Sequence, residues 1–209
     1  MVIKSSGLFL LLFFFLLPGA QGVELNKKEI TQEIKYAFEK DILISKKISA
    51  NRKFYQSNYD SFEKGPVVTF LSHTDPSMTL KTIIGNNYFT QIPTKDRKNL
   101  ELAIKNTFRR YAYEWLDSNL NIELKLNSIN ILSENQAVLL VDRSQKIIPR
   151  IDLKLYVHKG SNGWKVYDFG IWNFRYTQMK RRKYLAFIRN DDLDGLKNFL
   201  EQKNNKFFD

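Results

Sequence analysis

The sequence predicts an α+β domain: an antiparallel meander sheet of about four strands, packed against helices from both ends of the chain. Three observations predict it. Apolar residues recur every three or four positions as far as Trp115, then every second position from Leu120, and return to the helical period after Tyr176. Residues 25–48 carry Ile30, Ile34, Ala37, Phe38, Ile42 and then Ile44 or Ile48, which is an amphipathic helix with Asn26 as its candidate cap. Residues 49–66 are polar and end in Gly65-Pro66, so they predict a loop with helical fragments. The short apolar piece 67–71 fits either a helix or a strand. Asp75-Pro76-Ser77 then predicts a helix start leading into Leu80, Ile83 and Ile84 before Gly85. Pro93-Thr94 opens a long helix striped by Leu100, Ile104, Phe108, Tyr111 and Trp115. Asp96 sits in its first turn, where the helix dipole favours an acid.

After Ser118-Asn119 the period becomes two. Leu120, Ile122, Leu124 and Leu126 alternate with polar neighbours, as in a half-buried strand. The phase slips near Asn127-Ser128, and Ile129 and Ile131 continue on the other parity, which predicts a bulge or a short turn. Strands are expected over 136–143, 151–158 and, after the Ser161-Asn162-Gly163 turn, 164–172. In the third strand Ile151, Leu153, Leu155 and Val157 share one face, while Asp152, Lys154, Tyr156 and His158 share the other. Short turns between consecutive strands imply a meander with one face covered by helices. A basic helix striped by Tyr176, Met179 or Tyr184, Phe187 and Ile188 follows. Leu193-Asp194-Gly195-Leu196 then starts a closing amphipathic helix.

The N-terminus predicts export. Lys4 precedes an apolar run over 7–17 that is shorter than the ~20 residues of a membrane-spanning helix. Pro18 breaks the run, and Ala20-Gln21-Gly22 places small residues at a cleavage site. Residues 1–22 are therefore expected to be a cleaved signal peptide, an uncleaved anchor being the alternative, and residues 23–209 suffice for one domain with a real core or two small ones. The chain has no cysteine, which excludes a lipoprotein anchor and a disulfide framework. Its formal charge of +11 suits an anionic partner. Export makes lipid headgroups or wall polymers the expected partners and nucleic acid an unexpected one. A basic surface that serves solubility alone also fits.

Little in the chain points to catalysis. There is no cysteine nucleophile, no glycine-rich phosphate loop and no cluster with metal-ligand spacing. The two histidines, His73 and His158, lack a nucleophile elbow and read as surface or structural residues. Asp168 interrupts an apolar strand, and reads as a carboxylate paired with Lys, Arg or a backbone N–H. No enzymatic activity, cofactor or metal is expected. The run Lys180-Arg181-Arg182-Lys183 spreads round a helix. It is either a solvated face or a contact for phosphate headgroups or an acidic protein, and Arg109-Arg110, Arg143, Lys146 and Arg150 pose the same choice.

Gly163-Trp164-Lys165-Val166-Tyr167-Asp168-Phe169, followed some two dozen residues later by Asp194-Gly195-Leu196, resembles the C-terminal signature of the MlaC or toluene-tolerance family of phospholipid carriers. Upstream, Ile84-Gly85-Asn86-Asn87-Tyr88 and Ile92-Pro93-Thr94-Lys95-Asp96-Arg97 look like weakened forms of two further family segments. The resemblance covers residues 75–203. It departs at Trp172-Asn173-Phe174-Arg175, where the family has small residues.

The resemblance implies that residues 23–209 are a single MlaC-like lipid-binding domain in the periplasm, its sheet and helices enclosing an apolar pocket that binds a phospholipid as its ligand, with no bond making. It would shuttle between a lipoprotein–porin complex at the outer membrane and an ABC transporter with a ring-forming lipid-binding subunit at the inner membrane, maintaining outer-membrane lipid asymmetry. Two acyl chains hold roughly 30 methylenes, whose exposure to water costs on the order of 25 kcal/mol, so such a carrier needs a dry apolar pocket. The expected wall is Val138, Leu140, Leu153, Leu155 and Val157 from the sheet with Ile83, Ile104, Phe108 and Tyr111 from the helices. Arg143, Arg150 and Lys180 are the expected headgroup contacts. Each wall residue equally fits an ordinary filled core. A secreted basic interaction module binding an acidic envelope partner is therefore the alternative, and an envelope hydrolase with an unrecognised site is a third reading.

Overall fold

The computed structural model describes residues 19–118, 123–144 and 151–208. The expected signal segment up to residue 18 and the expected headgroup contact Arg150 lie outside them. Helix α1 (Gly19–Ala50) spans the predicted 25–48. Its Ile30, Ile34, Phe38 and Ile48 are buried at intervals that are multiples of about one turn. The stretch expected over 49–66 as a loop with helical fragments holds α2 (Arg52–Ser57), α3 (Tyr59–Phe62) and a π turn (Glu63–Val67) carrying Pro66, and the apolar piece that fits either helix or strand is helical, α4 (Val68–Ser72).

Asp75 caps α5 (Pro76–Ile84): its Oδ1 accepts the Met78 N–H at 2.8 Å, and Pro76 occupies the first position, where its missing N–H costs nothing. Helix α6 (Asn86–Gln91) leads to α7 (Thr94–Asp117), the central helix. Leu100, Ile104 and Phe108 are buried as expected. Further along, the buried side passes to Ala112, Tyr113 and Leu116, leaving Tyr111 and Trp115 half-buried.

The sheet runs in the order β1-β2-β3-β4-β5, a fully antiparallel meander. Its strands are β1 (Glu123–Ser133), β2 (Gln136–Ser144), β3 (Ile151–Gly160), β4 (Gly163–Ile171) and β5 (Phe174–Arg175). The phase slip expected at Asn127 is a register shift between Leu126 and Ser128. Gly163 turns the β3–β4 hairpin at φ +89°, a conformation glycine adopts without the Cβ penalty. The fifth strand is not evident from the sequence, because two residues carry no periodicity.

Helix α8 (Tyr176–Arg189) leaves β5 directly, and α9 (Leu193–Phe208) closes the chain. Asp192 caps α9 through the Gly195 N–H at 2.8 Å. A Cβ on Gly195 would meet that carboxylate and force it to shift, so glycine leaves room for the cap.

Three apolar clusters hold these elements together. Helices α5 to α9 pack on one another around Ile83, Ile104, Tyr176, Tyr184 and Leu200. The sheet and α1 share Ile30, Ile34, Phe38, Ala137, Leu139 and Val157. A smaller group joins α1 and α2 to α7 around Tyr55, Phe62 and Leu116. Each fully buried large side chain contributes roughly 1.5–3 kcal/mol.

Candidate functional site

Strand pairing assigns every sheet residue to a face, since side chains directly opposite one another point the same way. Ala137, Leu139 and Val141 oppose Val157, Leu155 and Leu153. Ile131 and Ile129 oppose Ala137 and Leu139 in turn. These residues make one continuous apolar surface, the inner face. Val138 and Leu140 oppose Tyr156 and Lys154 on the outer face, with Asn130 and Ser128 beyond. α1 lies across part of the inner face. The remaining inner residues Leu124, Leu126, Ile129, Ile131, Leu153 and Leu155 are only half-buried.

The nine expected wall residues therefore fall into three groups. Leu153, Leu155 and Val157 line the inner face as expected. Ile83, Ile104 and Phe108 sit in the helical cluster, with Tyr111 packed against it. Val138 and Leu140 face the other way. Both parities of β2 are apolar, so its periodicity does not reveal its inward side; the register set by the turn between Ser133 and Gln136 does. Ala137, Leu139 and Val141 are the inner-face residues that sequence reasoning missed.

The expected headgroup contacts separate too. Lys180 is half-buried on α8. Arg143 is a strand residue whose backbone pairs with Leu124 and Ile151.

Between α1 and the sheet lies a cavity of about 20 Å³, lined by Ile34, Phe38, Leu139, Val157, Trp164 and Val166 among others. That volume holds about one water molecule, whereas small-molecule pockets typically span about 300–1,000 Å³. At this position α1 packs directly on the inner face. The helix is held there by polar contacts as well. Glu33 on α1 accepts hydrogen bonds from Lys159 Nζ at 2.6 Å and from Trp164 Nε1 at 3.1 Å. Those two donors, Lys159 first, hold the Glu33 carboxyl below its ordinary value.

The segment before α5 joins the helical body to the sheet. Asp75 N–H donates to the Val166 carbonyl at 2.9 Å, and Val166 N–H donates to the His73 carbonyl at 2.8 Å. Thr79 Oγ1 donates to the Tyr167 carbonyl at 2.6 Å. Asp75 Oδ2 lies 2.6 Å from His158 Nε2. Burial acts to raise the Asp75 pKa, but hydrogen bonds from His158 and the Met78 N–H outweigh it and hold the carboxyl below its usual value.

Asp168, the acid of the signature strand, is the hub of a second joint. Its fully buried carboxylate accepts from Phe169 N–H at 2.9 Å, Thr177 N–H at 3.0 Å and Thr177 Oγ1 at 2.7 Å. Arg175 Nε and Nη2 donate to its Oδ2 at 2.7 and 2.6 Å. The pairing expected from the sequence is thus present, and its role is to hold the first turn of α8 against β4. Among the described residues no group of three or more His, Cys, Asp or Glu is placed to hold a metal ion, and no helix is long and apolar enough to cross a membrane.

The chain folds as an α+β protein with an apolar inner sheet face under an amphipathic helix. The fold is similar to that of a solved structure, the phospholipid-binding protein from Ralstonia solanacearum in complex with a phospholipid, at a TM-score of 0.65 and 17% sequence identity. The match covers 85% of this chain and 98% of that one. No protein-family model and no curated protein matches the sequence.

Proposed function

We propose that this protein is a phospholipid carrier of the MlaC kind, exported to the periplasm, that takes acyl chains onto the inner face of its sheet and passes lipid between outer- and inner-membrane complexes without chemical change. The similarity of fold to a phospholipid-binding protein carries the reading. The continuous apolar inner face, half-buried over Leu124, Leu126, Ile129, Leu153 and Leu155, supports it. Acyl chains lie on that face when α1 moves away from the sheet, so the contacts of Glu33, Ile34 and Phe38 open on loading. The small cavity favours a second reading, a basic module with a filled core that binds an acidic envelope partner.

Incubation with phospholipid vesicles, re-isolation of the protein and mass spectrometry of bound lipid separates the two. Stoichiometric phospholipid in the re-isolated protein supports the carrier. Protein that emerges lipid-free supports the module.

A further inference from the structure

Helices α7, α8 and α9 bring four cations together at one end of the helical cluster. Lys203 Nζ lies 4.7 Å from the Phe199 ring centre, and Lys183 Nζ lies 5.6 Å from the same ring. Lys180 Nζ is 5.8 Å from the Tyr111 ring and 5.2 Å from the Tyr176 ring. The Arg110 guanidinium is 5.2 Å from Tyr111, and its Nη1 donates to the Lys203 carbonyl at 3.1 Å. The carboxylate contacting this group is Glu114, 3.4 Å from Arg110 Nε. Glu201, the nearby acid of α9, pairs with Lys197 at 3.7 Å. Lys180, Lys183 and Lys203 make no ion pair among the described residues.

Like charges at this spacing repel, and the cost is visible. Lys183 and Lys203 are within hydrogen-bond reach, which two ammonium groups cannot satisfy together. That contact first, then burial and the charges of Lys183, Lys180 and Arg110, lowers the Lys203 pKa to about 8. A fold that keeps cations together in this way is relieved by an anion placed among them.

A second observation points to the same place. The Tyr176 side chain is 3% exposed, and its hydroxyl is buried among Tyr111, Tyr184 and Arg110. Below that hydroxyl, the Tyr176 ring stacks on Phe169 at 4.7 Å between centres. Phe169 opposes Leu155 in the sheet register. One side chain therefore runs from the apolar inner face to the cation cluster.

We propose that Arg110, Lys180, Lys183 and Lys203 form a binding site for a phosphate group, that of an amphiphile whose chains pass over Phe169 onto the inner face. The amphiphile rests on the carrier reading above; the phosphate site does not.

Two measurements test the pair separately. In the first, the Lys203 protonation midpoint is followed by NMR in inorganic phosphate and in chloride at equal ionic strength. A midpoint raised from about 8 towards the ordinary lysine value by phosphate alone supports the site. An unmoved midpoint overturns it.

In the second, the protein is loaded from vesicles holding phosphatidylglycerol and diacylglycerol of identical chains at equal mole fraction. Charge-assisted hydrogen bonds predict a preference for the phospholipid on the order of tenfold, abolished in the Lys180→Gln/Lys183→Gln/Lys203→Gln variant. Uptake of both lipids without preference overturns the amphiphile assignment and leaves the carrier standing. A phosphate-dependent midpoint with no lipid uptake leaves an anion site and overturns the carrier.

Discussion

Replacing Asp168 by alanine tests whether the signature strand is built for structure. The substitution removes the acceptor of five short contacts from Phe169, Arg175 and Thr177. It orphans the Thr177 N–H and hydroxyl, on a residue only 2% exposed. It also strips the Arg175 guanidinium of its partner. Breaking a buried pair costs about 3–5 kcal/mol. The Arg175 side chain remains 29% exposed and can recover some hydration, so the lower end applies, about 3 kcal/mol. For a domain of this size that lowers Tm by about 6–12 °C. Thermal and urea unfolding followed by circular dichroism measure it. The Asp168→Ala/Arg175→Met double variant should be no less stable than Asp168→Ala alone, because the second change removes the stranded charge. A loss below about 1 kcal/mol for Asp168→Ala, the scale of an ordinary surface pair, would refute the argument that this network holds α8 to the sheet.

Three further outcomes follow from the geometry. Leu155→Asn on the inner face should reduce lipid retention by on the order of thirtyfold, the equivalent of about 2 kcal/mol, whereas Leu140→Asn on the outer face should leave it unchanged; competition for labelled vesicle lipid reads both. Asp75 has its pKa depressed in the folded protein, so the stability it contributes is present above its unfolded value near ~4 and lost as pH falls through the folded one. Unfolding at pH 7 and pH 3 should therefore show a smaller acid loss for Asp75→Asn than for the native chain. Burial and the Glu63 carboxylate raise Tyr113 to about 12. Ultraviolet titration should show that hydroxyl ionising earlier in Glu63→Gln, since the hydrogen bond at 2.7 Å then goes to a neutral amide.

What was legible in the sequence was what depends on neighbours along the chain. Asp75-Pro76 marks its helix start because the cap and the N1 proline act within one turn. The slip at Asn127-Ser128 marks the bulge because one extra residue inverts parity at once. The apolar parity of β3 is unambiguous because its other parity is Asp, Lys, Tyr and His. The facing of β2 was hidden, since Ala137, Leu139 and Val141 alternate with equally apolar Val138 and Leu140. The drift of burial from Tyr111 to Tyr113 and Leu116 along α7 depends on the helices packed against it, which local periodicity does not encode. The two-residue strand β5 depends on the turn at Trp172, whose φ of +53° is unusual for a bulky residue. Lys180 was visible as part of a basic run. Its company with Arg110 and Lys203 was not, because those residues come from helices far apart in the chain.

The most direct test of the carrier account is native mass spectrometry with lipid extraction on protein purified from the cells that make it. The account predicts co-purifying phospholipid, released on denaturation, with α1 gaining amide protection against hydrogen exchange when that lipid is removed. Lipid-free protein whose α1 exchange is unchanged by added phospholipid would contradict it.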